Sequence, residues 1–471
     1  MFGKHSIAAR FFRSAIGVLM ARVLAFVAVF GFNAVLARAL APNDFGMFIL
    51  MFSLAGLASL IGCAGMNRAL VKRIAEMDGS VERKRIQQTV NVGIATGIVG
   101  GAVIGGLGTA VMWVLAGKTG DSEFVLPLLF GAIIWLRTMH LVVAETARGF
   151  HEKVWSNLFG SPAGGPLPHL VFLVLLINAW LGTGLHSLQT VLILYLVSFA
   201  ATLPFLIWRV KTLRINSARS ENANVADGKA NSRSGLGAVG VCQDSLILLA
   251  LPLMLTQTFG LTMSQADVWL AGAMVVPAAL AIYCAAQRML AFLTIPLQIA
   301  GTGIVSFIPE LVAQKKHDRL QELVGLAATL AGVPGLLIGF GFLLFPEAIL
   351  TIAFGEFYAS AAPLLRILAV GQMICIFTGP CEIVLMMAGH QNKTLIVNAV
   401  AALAIFTLGP IGILSFGMTG LAVAISVITS VQNLVNWSLA RRLIGINTHV
   451  GSVGAEAWSG SFAKFQTLIT R

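Results

Sequence analysis

The sequence predicts an all-α, multi-pass membrane protein of about 12 transmembrane helices in two six-helix lobes, on three observations. Of the 471 residues, 57% are hydrophobic and 11% charged, with a mean hydropathy of +0.88. A water-facing domain with that composition would present a precipitating surface. Apolar windows of about 20 residues recur along the chain, each long enough to cross about 30 Å of hydrocarbon. They are continuously apolar, which selects helices over the alternating strands of a barrel. The third observation is a repeat: the corner "VLARALAPNDFGMF" at residues 35–48 has a faint copy, "LAGAMVVPAALAIY", at residues 270–283.

The chain opens with Lys4, Arg10 and Arg13 ahead of an apolar run. That run is too long for a cleaved signal sequence and holds Arg22, so it reads as a retained first span. Spans are expected at 14–38, 47–71, 90–116, 124–146, 166–184, 187–208, 245–273, 277–308, 322–345, 361–388, 394–414 and 417–438. They define an N-terminal lobe at 1–208, a linker at 209–244, a C-terminal lobe at 245–438 and a tail at 439–471. The linker, rich in Ser, Asn, Ala and charge, reads as disordered.

Charge sets the orientation. Alternate loops hold 24 of the 31 basic residues, among them Lys72, Arg73, Arg148, Arg209, Lys211, Lys315 and Arg441. The bias places those loops and both termini in the cytoplasm. It also accounts for the +12 net charge without nucleic acid, since no aromatic-interleaved basic patch exists. The other loops are too short for an outer catalytic domain. The five cysteines show no metal spacing and read as packing residues.

An offset of 235 residues pairs Pro42 with Pro277 and Phe48 with Tyr283. Equal halves of even span number enter the membrane in the same sense, a parallel repeat about an axis along the membrane normal. Two such bundles imply a central cleft and alternating access. At the corner, Pro42 closes the first crossing, Asn43 and Asp44 suit a turn or an N-cap, and Arg38 lies near enough to pair with Asp44.

Polar groups at membrane depth mark the expected cleft lining. Arg22 and Asn33 fall near one face of the first span, and Arg137 sits at similar depth in the fourth. In the second half, Thr256, Gly260, Ser264 and Asp267 form one stripe, and Tyr283, Gln287, Thr294 and Gln298 another, with Arg288 at its edge. Asp267 and Arg288 are placed either to pair with each other or to contact a ligand. Arg366 is expected to snorkel outward. Pro252, Pro296, Pro334, Pro380 and Pro410 interrupt apolar spans as kinks or hinges.

Family resemblance enters through "NAVLARALAPNDFGMF" and "SLIGCAGMNRALVKRIAE" in the first half. In the second it rests on "LALPLMLTQTFGLTMSQADVWLAG", "AIYCAAQRML" and "FIPELVAQ". These resemble the polysaccharide transporter family, the O-antigen-type flippases of the multidrug/oligosaccharidyl-lipid/polysaccharide exporter superfamily. The resemblance implies a MATE-like fold in a bacterial inner membrane and a substrate of undecaprenyl-pyrophosphate-linked oligosaccharide, moved from the cytoplasmic to the outer leaflet. It implies contact with membrane lipids and with other polysaccharide-assembly proteins. Arg22, Arg137 and Arg288 would meet pyrophosphate or acidic sugar. Asn33, Asp267, Gln287 and Gln298 would meet the glycan, or Asp267 would serve a coupling cation or proton. No catalytic residue, metal site or cofactor is expected. Two other classes compete: a multidrug or cation antiporter of the same superfamily, which would want carboxylates in its cleft, and a membrane glycosyltransferase or polymerase. No phosphate loop of an ATPase is present.

Overall fold

The computed structural model describes residues 4–76, 83–119, 124–150, 152–160, 165–182, 187–226, 243–305 and 307–452. Every regular element among them is helical. The helices divide by packing into two units, Met1–Gln265 and Ala266–Arg471.

The first unit holds α1 (Lys4–Ala39), α2 (Pro42–Gly62), α3 (Met66–Glu76), α4 (Arg83–Thr119), α5 (Val125–Gly149), α6 (Lys153–Phe159), α7 (Pro166–Gly182) and α8 (Leu188–Ala226). It also takes the N-terminal part of α9 (Gln243–Met274). Its centre is α5, which packs on α2, α3, α4, α6 and α8. Small residues make that packing possible. A Cβ on Gly100 of α4 would lie 2.2 Å from the Gly62 carbonyl oxygen of α2, and one on Gly105 would lie 2.6 Å from the Gly131 carbonyl oxygen of α5. Backbones therefore touch directly, as helices do in lipid where no hydrophobic effect draws them together.

The second unit holds α10 (Pro277–Ile304), α11 (Phe307–Ala313), α12 (His317–Leu344), α13 (Pro346–Phe354), a 3-10 turn (Glu356–Ala361), α14 (Ala362–Thr378), α15 (Cys381–Met387) and α16 (Gln391–Ile444). Helices α10, α12 and α14 pack on one another, and α16 closes against α14. Gly417, at φ 62° and ψ −145°, breaks α16 into two arms. Gly412 and Gly420 meet backbone to backbone across that break, and Gln432 Nε2 donates to Asn398 Oδ1 at 2.8 Å. Both contacts make the arms an antiparallel hairpin.

The repeat is visible in element order. The series α1–α8 and α9–α16 each run as a long helix, a long helix with a short continuation, another long helix, a central helix followed by a short one, and two final arms, the second series adding α13 and the 3-10 turn before its central helix. Pro42 and Pro277 each open a helix within its first two positions, where a missing N–H costs nothing. The residue before α2 is Ala41, which makes no side-chain cap bond, and Asp44 lies in the first turn. There its negative charge complements the N-terminal end of the helix dipole.

Nine helices among the described residues are long and apolar enough to cross a membrane, α16 being one of them and α7 a shorter apolar helix. The expected spans map onto α1, α2 with α3, α4, α5, α7, α8, α9, α10, α12, α14 with α15, and the arms of α16. Two of them are not continuous. The second breaks at Cys63–Gly65, where Ala64 and Gly65 take positive φ, and the tenth breaks at Gly379 and Pro380. Helix α8 continues to Ala226, so the segment read as a disordered linker starts as helix, its Lys, Arg, Leu, Ala and Glu being good helix formers. Residues 227–242 and the tail from 453 lie outside the described residues.

Glycine packing yields a paired test. Gly100→Ala drives a methyl into the Gly62 carbonyl and should cost about 1–3 kcal/mol. Gly106→Ala on the same helix meets nothing within 4 Å and should be neutral or slightly stabilising through helix propensity. Thermal unfolding in detergent followed by gel filtration compares the two.

Candidate functional site

Two polar centres are built inside the units. In the second unit, Asp267 on α9 is buried and receives three bonds. The Tyr283 hydroxyl donates to Oδ2 at 2.8 Å, Gln287 Nε2 donates to the same oxygen at 2.8 Å, and the Val268 amide donates to Oδ1 at 2.9 Å. Tyr283 and Gln287 lie four residues apart on α10, so one helix face delivers both donors. The sequence placed all three on facing stripes, and the structure brings them together.

The expected alternative of an Asp267–Arg288 ion pair is not formed. Arg288 follows Gln287 and leaves that face by one residue's rotation, so the carboxylate is saturated by neutral donors instead. Arg288 is half-buried, makes no hydrogen bond or ion pair among the described residues, and has its Nε shielded without an acceptor. Gln298, further along α10, is exposed and stands apart from the Asp267 group.

In the first unit, Arg137 on α5 is 3% exposed. Its Nη1 donates to the Phe52 carbonyl at 2.9 Å, and its guanidinium lies 5.0 Å from the Phe52 ring centroid. Phe52 in turn stands 5.9 Å from His169 and 6.0 Å from Tyr195, within an aromatic cluster that includes Phe32, Phe48 and Phe172. A cation over a desolvated ring in this setting contributes on the order of 2 kcal/mol. Arg137 is therefore knitted into the packing of α2 and α5.

Asn33 is likewise buried and spends its Nδ2 on the Val29 carbonyl one turn back, at 2.6 Å. Arg22 is exposed and bonds to none of the described residues. Although Arg22 and Asn33 share a helical face by rotation, the one is exposed and the other buried, while Ala21 beside Arg22 is itself covered.

Several groups escaped the sequence reading. Glu145, buried on α5, receives Arg148 at 3.0 Å, and Arg148 also donates to Asn157 of α6 at 3.2 Å. Asn67 and Gln257 exchange amide bonds between α3 and α9, the shorter at 2.8 Å. His140 Nε2 donates to the Phe199 carbonyl at 2.8 Å, tying α5 to α8. In the second unit, Asn398 donates to Glu382 at 2.8 Å and accepts from Gln432 at 2.8 Å. An acid inside an apolar run, as at 145 and 382, was the available signal. Arg366 is exposed, as expected of a snorkelling residue, and sits 3.7 Å from Glu347.

The Asp267 group has a direct test. Tyr283→Phe removes one of two side-chain donors to a buried acceptor and should cost about 1–3 kcal/mol. Leu or Met at Gln298, an exposed position without bonds, should cost nothing measurable. Melting temperatures of the purified variants decide between them.

Two family models match the chain. The one described as polysaccharide biosynthesis protein matches residues 11–159, α1 to α6, and the one described as MatE matches residues 252–411, in α9 to α16. No curated protein is matched at the sequence level. Among solved structures, an inward-facing multidrug resistance MATE family transporter of the MOP superfamily superposes with TM-score 0.67 at 14% identity, over 92% of this chain and 98% of that one. The lipid II flippase MurJ, in an inward closed conformation, superposes with TM-score 0.63 at 12% identity, over 91% and 87%. A MOP superfamily transporter from Pyrococcus furiosus, described by the reverse polarity of its binding pocket, gives 0.56 at 15% identity, over 92% and 95%. The chain has the two-lobe fold of the MOP superfamily, and the resemblance read from its sequence is borne out.

Proposed function

We propose that the chain is a flippase that moves an undecaprenyl-pyrophosphate-linked oligosaccharide from the cytoplasmic to the outer leaflet by alternating access, in surface polysaccharide synthesis. The observation that carries this reading is an asymmetry among charges at membrane depth. Each acid has a partner: Asp267 three donors, Glu145 the Arg148 guanidinium on one of its two oxygens, Glu382 the Asn398 amide. The cations Arg22 and Arg288 bond to none of the described residues. Available positive and engaged negative groups suit an anionic head, because a guanidinium forms paired, charge-assisted bonds to phosphate oxygens.

The match of residues 11–159 to a polysaccharide biosynthesis model supports a glycan as the cargo. MurJ, described as a lipid II flippase, supports a lipid-linked one. Paired element order in the two units supports alternating access. Under this reading Arg22 and Arg288 contact pyrophosphate or acidic sugar. Gln287 and Gln298 offer amides to sugar hydroxyls, whereas Arg137, Asn33 and Asp267 hold the lobes' interiors in shape.

A multidrug or cation antiporter is the second reading, supported by the MatE match at residues 252–411 and by the half-buried Glu382. Efflux of cationic dyes by cells expressing the chain separates the two.

Removal of the protein should leave lipid-linked oligosaccharide accumulating in the inner leaflet, and the wild type should clear it. Arg288→Ala and Arg22→Ala should each lower the rescue about tenfold, the loss of one charge-assisted bond, at unchanged protein abundance. Arg137→Ala should act through reduced abundance. Full rescue by both Arg22→Ala and Arg288→Ala would remove the cationic basis of the reading.

A further inference from the structure

We propose that the groove between α5 and α8 at Pro204 is a binding site for an acidic phospholipid, with one acyl chain in the groove and the phosphate on Lys211. The groove encloses about 430 Å³ and is lined by Leu136 of α5 and by Ala200, Leu203, Pro204, Ile207 and Lys211 of α8, among others.

Its origin is local. Pro204 lies inside α8 and has no N–H to give, and its ring crowds the carbonyl of the residue four positions earlier, Ala200. The backbone hydrogen bond between those two residues is missing, and both of them line the hollow. Its wall is otherwise apolar, with the Trp208 ring beside the aliphatic side chains, so it suits a hydrocarbon chain.

Charge and depth name the occupant. Lys211 is exposed and makes no hydrogen bond or ion pair among the described residues. Its neighbour Arg209 is committed to Glu152 at 3.4 Å and stands 5.3 Å from the Trp155 ring. Among the described side chains of this stretch, Lys211 at the groove's rim is thus the cation without a hydrogen bond or ion pair. Trp208, 56% exposed, lies tilted with its ring 5.6 Å from Phe205, which meets Trp155 at 5.8 Å, an aromatic band of the kind proteins keep at the headgroup level. Lys211 lies just beyond that band. From Lys211 back to Pro204 is about 10 Å at about 1.5 Å per residue, which falls within the roughly 15 Å that one leaflet's chains span. A lipid whose phosphate rests on Lys211 therefore has its chain alongside the proline opening without leaving its leaflet.

The test uses the full chain in nanodiscs of phosphatidylcholine and phosphatidylglycerol, followed by mild extraction and mass spectrometry of the retained lipid. The wild type should retain phosphatidylglycerol over phosphatidylcholine. Lys211→Gln should lower that preference about five-fold, the effect of one lysine near an anionic leaflet, and Leu203→Trp should lose both lipids by filling the groove. Lys393→Gln, on an exposed lysine of the other unit, should change nothing. Lys211 is exposed and makes no hydrogen bond or ion pair with a described residue, so its substitution leaves folding intact and its result stands even if Leu203→Trp fails to fold. Unchanged retention in Lys211→Gln, or displacement of the phosphatidylglycerol by equimolar undecaprenyl phosphate, overturns the proposal.

Discussion

Within hydrocarbon no water is present to satisfy a peptide group, so each place where a helix stops must be answered by another part of the chain. The structure of each unit follows from that requirement. At the Cys63–Gly65 break, the Ala250 backbone of α9 comes so close to Gly65 that a Cβ would overlap its carbonyl. At the α14–α15 break, the segment after α16 lies across the gap. Val450 N–H bonds the Phe377 carbonyl at 2.9 Å and the Thr448 hydroxyl bonds the Thr378 carbonyl at 2.7 Å. Gln321 clasps Asn447 from α12 and Thr329 receives the Gly451 amide, so the same segment is fixed at both ends. The interruptions are thus sites of tertiary assembly.

Side-chain charge obeys the same rule more expensively, since an ion stripped of water needs several partners. Arg137 finds a carbonyl and an aromatic face, and Asp267 finds a hydroxyl, an amide side chain and a backbone N–H. Groups treated in this way are parts of the framework. Arg22 and Arg288 are treated otherwise: neither bonds to a described residue, and the proposed function rests on that contrast.

Much of the fold was legible because its signals are local. Run length gave the spans, and prolines at 42 and 277 gave the repeat. The break at Cys63–Gly65 was hidden because no proline marks it and glycine is common throughout apolar spans. Continuation of α8 past 208 was hidden because a polar helix and a polar coil share composition. In the site, Asp267, Tyr283 and Gln287 were readable from helical spacing. That Arg288 would stand apart from Asp267 was not, because one residue along a helix turns a side chain by about 100°, and only packing fixes which face meets the acid. Glu145 lies three residues before Arg148 at the end of an apolar run, and only the packing shows that its side chain is buried.

The glycine contacts among α2, α4 and α5 carry a mechanical consequence. Where backbones touch at Gly62, Gly100, Gly105 and Gly131, no layer of rotatable side chains lies between the helices to yield under load. Such a seam has no slack. A displacement of one of these helices meets backbone of the next at those points, so the seam resists shear more than one packed through long side chains would.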